Sequence, residues 1–101
     1  MDASELNELK RVIRSRKGGN VERSRTARHL SRGTPRCARK VGEEAVEVVV
    51  AALAETHTDV INESADMLYH WLVLMESMEI DANEVYAELA RRRVGMEADG
   101  A

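Results

Sequence analysis

Residues 35–55, PRCARKVGEEAVEVVVAALAE, decide the fold. Valine is frequent here, and valine alone is compatible with a β-strand. The length of the run and the helical spacing of its glutamates indicate a helix instead. The apolar positions form two adjacent stripes, which are Val41, Ala45, Val48 and Ala52 beside Val46, Val49, Val50 and Leu53.

The sequence before this stretch predicts two shorter helices. Four apolar residues with helical spacing mark the first helix: Leu6, Leu9, Val12 and Ile13. The basic stretch RSRKGGN at 14–20 ends that helix with two consecutive glycines. A second helix is predicted for residues 24–31, ended by Gly33. Thr34 followed by Pro35 predicts the N-cap and the first turn of the central helix.

A further long helix is predicted for residues 59–78, after the polar turn ETHTD at 55–59. Its apolar residues cover more than one face: Val60, Ile61, Met67, Leu68, Trp71, Leu72, Val73, Leu74, Met75 and Met78. A monomer of 101 residues has little interior in which to bury such a helix. We therefore expect a homo-oligomer, with this helix at the subunit interface.

The C-terminal region predicts one more helix and a tail. Asp81 and Glu84 form a capping-box-like start for that helix. Three of its residues are expected to face inward: Val85, Tyr86 and Leu89. The residues MEADGA at 96–101 are predicted to be disordered. The expected fold is all-α, a small antiparallel bundle of four to five helices forming a single domain over residues 1–95 and completed by homo-oligomerisation.

The cysteine content and the lack of a long apolar run indicate the cellular compartment of the protein. The single cysteine excludes an intrachain disulfide, and we interpret Cys37 as an ordinary helix residue. The N-terminus is too charged for a signal peptide, and no run approaches the roughly 18 apolar residues of a membrane span. The expectation is therefore a cytoplasmic protein with no membrane partner.

Charge is distributed unevenly along the chain. Residues 1–40 contain twelve Lys and Arg and four acids, whereas residues 41–101 contain three Lys and Arg and fourteen acids. The two halves could attract each other or a second subunit. Alternatively, a basic segment that binds phosphates adjoins an acidic segment that binds a cation.

Two acidic motifs lie on the consecutive long helices, GEEAVE at 42–47 and ESAD at 63–66. In each motif two carboxylates are three residues apart and therefore project from one helix face. These four residues are Glu44, Glu47, Glu63 and Asp66. A single such pair is commonplace on a solvated helix face, but two pairs on adjoining helices are harder to explain in that way.

The expected hairpin brings these two motifs together. With its turn near residue 57, it places Glu47 level with Asp66 or Met67, and Glu44 level with His70. Clustered carboxylates repel one another unless their pKa values rise or a cation joins them. Mg²⁺ prefers oxygen ligands, so the sequence predicts a magnesium site.

The three histidines are given structural interpretations. His70 is expected to be a buried structural residue, or else to hydrogen-bond to one of the carboxylates. His29 and His57 are expected on the surface.

The stretches KVGEEAVEVVVAA and NESADMLYHWLVLM resemble the EExxE and ExxD pattern of the all-alpha, MazG-like nucleoside triphosphate pyrophosphohydrolases. Within that superfamily, four segments are similar to phosphoribosyl-ATP pyrophosphatases: KVGEEAVE, ADMLYH, RSRKG and TARHLSRG. The resemblance extends from about Leu6 to Arg93. One departure is Arg25, between Ser24 and Thr26, where that family usually has tyrosine.

The resemblance implies Mg²⁺-dependent hydrolysis of phosphoribosyl-ATP to phosphoribosyl-AMP and pyrophosphate in histidine biosynthesis. It implies four metal ligands: Glu44, Glu47, Glu63 and Asp66. Glu43 is expected to be an outer ligand or to orient water, which makes Glu43, Glu44 and Glu47 the catalytic candidates. The expected substrate-binding residues are Lys17, Thr26 and Lys40, joined by an arginine that the sequence does not single out.

Two alternatives stay open at this point. One is a MazG-type housecleaning pyrophosphatase that acts on free or noncanonical nucleotides through the same metal site. The other is a nucleic-acid-binding helical bundle that uses the basic residues 1–40. The acidic remainder of the chain and the lack of aromatic residues among the basic ones count against nucleic acid as a partner.

Overall fold

The computed structural model describes residues 3–100, with side chains from residue 5 onward. This part of the chain is helical and contains no strand. The five helices are α1 Ala3–Ser15, α2 Arg25–Ser31, α3 Thr34–Ala54, α4 His57–Ser77 and α5 Ala82–Asp99. The prediction of an all-α fold with four to five helices is confirmed.

The α3–α4 hairpin is the main body of the fold. The two helices have 21 residues each and pack against each other along their length. Helix α1 packs on α4, and the short α2 contacts both members of the hairpin. These contacts place the acidic motifs of α3 and α4 side by side, with α2 next to them.

The start of α3 differs by one residue from the expected start. Gly33 is the N-cap, with a φ of 88° that favours glycine, and Pro35 lies in the first turn. Thr34, the expected N-cap, is already helical. Its hydroxyl group donates to the carbonyl oxygen of Ser77 at 3.3 Å and so joins the start of α3 to the end of α4.

The turn between α3 and α4 is shorter than expected. It consists of Glu55 and Thr56 only, because residues 57–59 of the predicted turn already belong to α4. Thr56 accepts a hydrogen bond from the backbone N–H of Asp59, whose carboxylate accepts one from the backbone N–H of Thr56. This reciprocal capping box fixes the start of α4.

The core is small and lies where α1, α3 and α4 meet the start of α5. Its fully buried members are Ile13, Cys37, Leu72, Val73 and Ala82. Several partly buried residues pack against them: Leu6, Leu9, Leu30, Tyr69, Trp71, Leu74 and Tyr86. Many apolar residues remain exposed on the chain: Val21, Val46, Val49, Val50, Leu53, Ile61, Met78, Leu89, Val94 and Met96.

Helix α5 is anchored mainly by its first turns. The Asp81 side chain accepts a hydrogen bond from the backbone N–H of Asn83, so Asp81 is the N-cap as expected. Leu89, expected to face inward, is 59% exposed, because it borders an open apolar cavity beside Trp71 and Tyr86 and is not covered by the core. The helix continues past Gly95 to Asp99, through most of the segment predicted to be disordered, and ends where Gly100 adopts a left-handed conformation. Ala101 lies outside the described residues.

None of the described helices is both long and apolar enough to cross a bilayer.

Candidate metal centre

Three carboxylates from α3 and α4 converge. Glu44 lies on α3, and Glu63 and Asp66 lie on α4. One oxygen from each carboxylate lies within 4.8 Å of the other two. Glu44 and Glu63 are half-buried and Asp66 is exposed, so the acidic cluster formed by these three residues is open to solvent on one side. Three of the four predicted ligands therefore lie together.

The hairpin register differs from the expected register. Because the turn has only two residues, the helical geometry places Glu44 level with Met67 rather than with His70. The residue of α4 beside Glu44 thus differs from the expected one by about three positions, which is close to one helical turn. The shorter turn thus brings Glu44 beside Glu63 and Asp66.

The acidic cluster carries unbalanced negative charge. Partial burial raises the pKa of Glu63, and the neighbouring carboxylates of Glu47, Asp66 and Glu44 raise it further. A carboxyl group whose neighbours disfavour its charged form is stabilised by a nearby cation. The cluster is therefore suited to a divalent ion that prefers oxygen ligands.

Lys40 is the basic residue closest to this cluster in the ion-pair network of the described residues. Its ammonium group lies 3.5 Å from a Glu44 oxygen and 3.4 Å from a Glu43 oxygen. Glu43 also pairs with Arg39 at 3.4 Å on the exposed side of α3. The structure therefore keeps Lys40 at the edge of the cluster and turns Glu43 outward.

Glu47 lies one turn beyond Glu44 on α3. It is exposed and is not among the three carboxylates that converge. Its charge nevertheless contributes to the raised pKa of Glu63, which places it beside the cluster. No ion pair to Glu47 occurs among the residues whose side chains are described, so its carboxylate is available.

Helix α2 positions Thr26 near the acidic cluster. Ser24 caps this short helix by accepting the backbone N–H of Ala27 at 3.0 Å. The hydroxyl groups of Thr26 and Tyr69 are 2.5 Å apart, and Tyr69 follows Asp66 by one turn of α4. Arg25 lies over the Tyr69 ring, with its guanidinium carbon 5.8 Å from the ring centroid.

Lys17 lies at a distance from the other predicted site residues. Its ammonium group is 3.4 Å from an oxygen of Glu79, just beyond the end of α4. Glu79 is thirteen positions after Asp66, which corresponds to roughly 20 Å along a helix. Within one chain, Lys17 therefore does not reach the acidic cluster.

The expectation of a surface position for His29 is wrong. Both of its ring nitrogens are buried and have no hydrogen-bond partner among the described residues. Its ring centroid lies 5.0 Å from that of His70, which is buried as expected. Burial, together with the charges of His70, Arg25 and Lys40, lowers the pKa of His29 to about 4. No sequence pattern indicates this packing, because it depends on how α2 lies against α4.

Comparison with known proteins shows that the sequence around this cluster matches a known family. The model of the phosphoribosyl-ATP pyrophosphohydrolase family matches residues 6–93, which include the whole acidic cluster. The chain belongs to the phosphoribosyl-ATP pyrophosphohydrolase family. The extent of the match agrees with the expected limits of the resemblance, from Leu6 to Arg93.

Individual members of the family are similar over most of their length. A phosphoribosyl-ATP pyrophosphatase from Parvibaculum lavamentivorans is 54% identical over 90% of this chain and 84% of the relative. The protein of the same name from Pyrobaculum aerophilum is 49% identical over 91% of this chain and 98% of the relative. That from Agrobacterium fabrum is 42% identical, with 91% and 86% covered. The resemblance inferred from the motifs is thus confirmed.

Proposed function

We propose that this chain hydrolyses phosphoribosyl-ATP to phosphoribosyl-AMP and pyrophosphate in histidine biosynthesis, with Mg²⁺ as its cofactor. The observation that carries the proposal is the convergence of Glu44, Glu63 and Asp66 within the segment that matches the family. We infer the substrate from the names of the relatives, which are phosphoribosyl-ATP pyrophosphatases. We infer the metal ion from the three clustered carboxylates.

The donor set fits Mg²⁺. Three carboxylate oxygens within 4.8 Å of one another can share one small cation, and the partly exposed site leaves room for water and phosphate ligands. We propose Glu44, Glu63 and Asp66 as ligands, joined by Glu47 from the next turn of α3. When bound, Mg²⁺ would supply charge neutralisation of the phosphates and a lowered pKa for water.

Two glutamates are proposed to act on the attacking water. Glu47 is exposed beside Glu63 and has no ion-pair partner among the described side chains, so its carboxylate can orient water and accept its proton. Glu43 is held outward by Arg39 and Lys40. We assign Glu43 a smaller role, either as an outer ligand of the metal ion or as a group that helps to orient the attacking water.

Three residues are proposed to bind the substrate. Lys40 can exchange part of its contact with Glu44 for a phosphate oxygen, as a mobile point charge. The Thr26 hydroxyl group hydrogen-bonds to Tyr69, one turn after Asp66, which supports a contact of Thr26 with the same polyphosphate. Lys17 lies at the far end of α4, so its contact would be with a distant part of the substrate.

We further propose that the chain works as a homo-oligomer. The exposed apolar residues are concentrated on the hairpin: Val46, Val49, Val50, Leu53 and Ile61. Trp71 and Tyr86 line an apolar cavity of about 430 Å³, together with Leu6, Val41, Met67, Leu68, Val85 and Leu89. Covering these surfaces in a second subunit removes apolar area from water. Light scattering during gel filtration tests this, and a mass equal to one chain at micromolar concentration would contradict it.

The experiment that tests the function is the release of pyrophosphate from phosphoribosyl-ATP, ATP and dUTP, with and without Mg²⁺. We expect Mg²⁺-dependent release that is confined to phosphoribosyl-ATP. Preference for ATP or dUTP would instead assign the same site to a housecleaning pyrophosphatase. Absence of release from all three substrates would refute the proposal.

A further inference from the structure

A polar pocket lies between the end of α1 and the start of α2, apart from the acidic cluster. Its volume is about 470 Å³. It is lined by Ser15, Arg16, Gly19, Asn20, Arg23 and Ser24. The lining contains two arginines and no acidic residue, so the pocket has the chemistry of an anion site.

Backbone hydrogen bonds give this pocket a defined shape. The carbonyl oxygen of Asn20 accepts the backbone N–H groups of Arg23 at 3.2 Å and Ser24 at 2.9 Å. The N–H of Gly19 donates to the carbonyl oxygen of Arg16 at 2.9 Å. A Cβ atom at Gly19 would lie 3.0 Å from that same oxygen, so the close approach of the two backbone segments favours glycine.

Among the described side chains, the two arginines of the pocket have no carboxylate partner, whereas three basic residues of α1 and of the turn after it do. Along α1 and just after it, Lys10 pairs with Asp81 at 2.9 Å, Arg14 with Glu76 at 3.3 Å, and Lys17 with Glu79 at 3.4 Å. Within residues 5–100, no carboxylate forms an ion pair with Arg16 or Arg23. Both guanidinium groups are exposed and available to a ligand.

We propose that this pocket binds the monophosphate of the second ribose of the substrate, and that Arg16 and Arg23 are its specificity-determining residues. The proposal rests on the function proposed above. A guanidinium group holds phosphate through paired, charge-assisted hydrogen bonds. The Asn20 side-chain amide is a further donor, because its carbonyl oxygen already accepts the backbone N–H of Glu22 at 2.8 Å while its NH₂ group stays available.

The position of the pocket suits a substrate that carries phosphate at both ends. Thr26 follows Arg23 by three residues, so their Cα atoms are at most about 11 Å apart. Thr26 in turn contacts Tyr69, one turn after Asp66. The chain therefore offers a cation site for the triphosphate and, beyond α2, a separate basic pocket for the monophosphate. ATP lacks that monophosphate, so the pocket gives a physical reason for discrimination against it.

The kinetic test compares Arg16→Gln and Arg23→Gln with Arg32→Gln. Arg32 is a matched control because it is an exposed arginine of the same basic segment, outside the pocket. With saturating Mg²⁺, we expect the two pocket variants to raise KM for phosphoribosyl-ATP about tenfold or more, since each loses a charged hydrogen bond. Their kcat should stay within about twofold of wild type, and Arg32→Gln should change neither constant. An unchanged KM in both pocket variants, or a loss confined to kcat, would overturn the proposal.

A binding test separates this proposal from the proposed function. Ribose 5-phosphate carries the monophosphate alone, and its binding is followed by NMR titration of the full chain without metal. We expect chemical-shift changes around Gly19 and Asn20, and binding about tenfold weaker in Arg23→Gln, with partial recovery in Arg23→Lys. This result is independent of turnover, so it holds or fails even if no pyrophosphate is released. Equal binding by wild type and Arg23→Gln, at unchanged circular dichroism, would contradict the proposal.

Discussion

Helix α5 and the α3–α4 hairpin each contain a glutamate with a shifted pKa, but the two shifts have opposite directions. On α5, hydrogen bonds from Arg91 and Arg92 hold the pKa of Glu88 down at about 2. On the hairpin, partial burial and four neighbouring carboxylates raise the pKa of Glu63. The charges of α5 are thus neutralised within their own helix, at the spacing that favours such pairs.

The arginines of α5 also differ from those between the end of α1 and the end of α2. Arg91, Arg92 and Arg93 each pair with a glutamate three or four residues away. Among the described side chains, the arginines at 16, 23, 25, 28 and 32 have no carboxylate within ion-pair distance. Such an arginine can bind an anionic ligand where it lines a pocket, as Arg16 and Arg23 do. This segregation, and not the number of charges, distinguishes the site from an ordinary solvated helix.

The largest expected effect follows from removing a charge from the acidic cluster. Asp66→Asn should lower Mg²⁺-dependent pyrophosphate release by roughly a hundredfold or more, because the variant loses a carboxylate ligand. Glu88→Gln removes the same charge from α5 and should leave the rate within about twofold of wild type. Steady-state kinetics at several Mg²⁺ concentrations measures both. An equal loss of the rate of pyrophosphate release in the two variants would contradict the assignment of the metal site to the hairpin.

A second prediction concerns His29 of α2, which is buried against α4. Its pKa is lowered from 6.5 to about 4, so between these pH values His29 is protonated in the unfolded chain but not in the folded chain. Stability therefore falls as the pH falls from 6.5 towards 4, and this contribution levels off below 4. We expect the Tm to drop by several degrees over that window.

The variant His29→Leu should remove part of this pH dependence of Tm. His57→Leu is the matched control, since His57 lies exposed at the start of α4. Differential scanning calorimetry between pH 7 and pH 4 makes the comparison. The account of His29 fails if His29→Leu and wild type lose the same stability.

The smallest expected effect is on α5. Arg93→Gln breaks an exposed ion pair with Glu97, whose atoms are 2.8 Å apart. Exposed pairs of this kind contribute little, so the Tm should stay within about 2 °C of wild type and turnover should not change. A large loss of stability in thermal unfolding would mean that α5 is covered by a further contact, as in an oligomer.

Much of the fold was predictable because its signals are local. Helical spacing predicts α3 and α4, and Asp81 predicts an N-cap that the structure confirms. The turn at residues 55–56 was misjudged because His57, Thr58 and Asp59 suit either a turn or the first turn of a helix. The reciprocal hydrogen bonds between Thr56 and Asp59 favour the helix.

The candidate site was predictable in composition more than in geometry. The spacing of Glu44, Glu63 and Asp66 indicated that they share the facing sides of two helices, but the register depends on the turn length. The burial of His29 and the pocket at residues 15–24 depend on how α2 and its preceding loop pack, which the spacing of residues does not encode.

The central claim is that the acidic cluster of the hairpin binds the cation on which hydrolysis depends. Calorimetric titration of the free protein with Mg²⁺ tests it most directly, with wild type compared to Glu63→Gln and to the α5 control Glu88→Gln. The account predicts that wild type and Glu88→Gln bind alike, and that Glu63→Gln binds at least about tenfold more weakly. Equal affinity for Mg²⁺ in wild type and Glu63→Gln would contradict it.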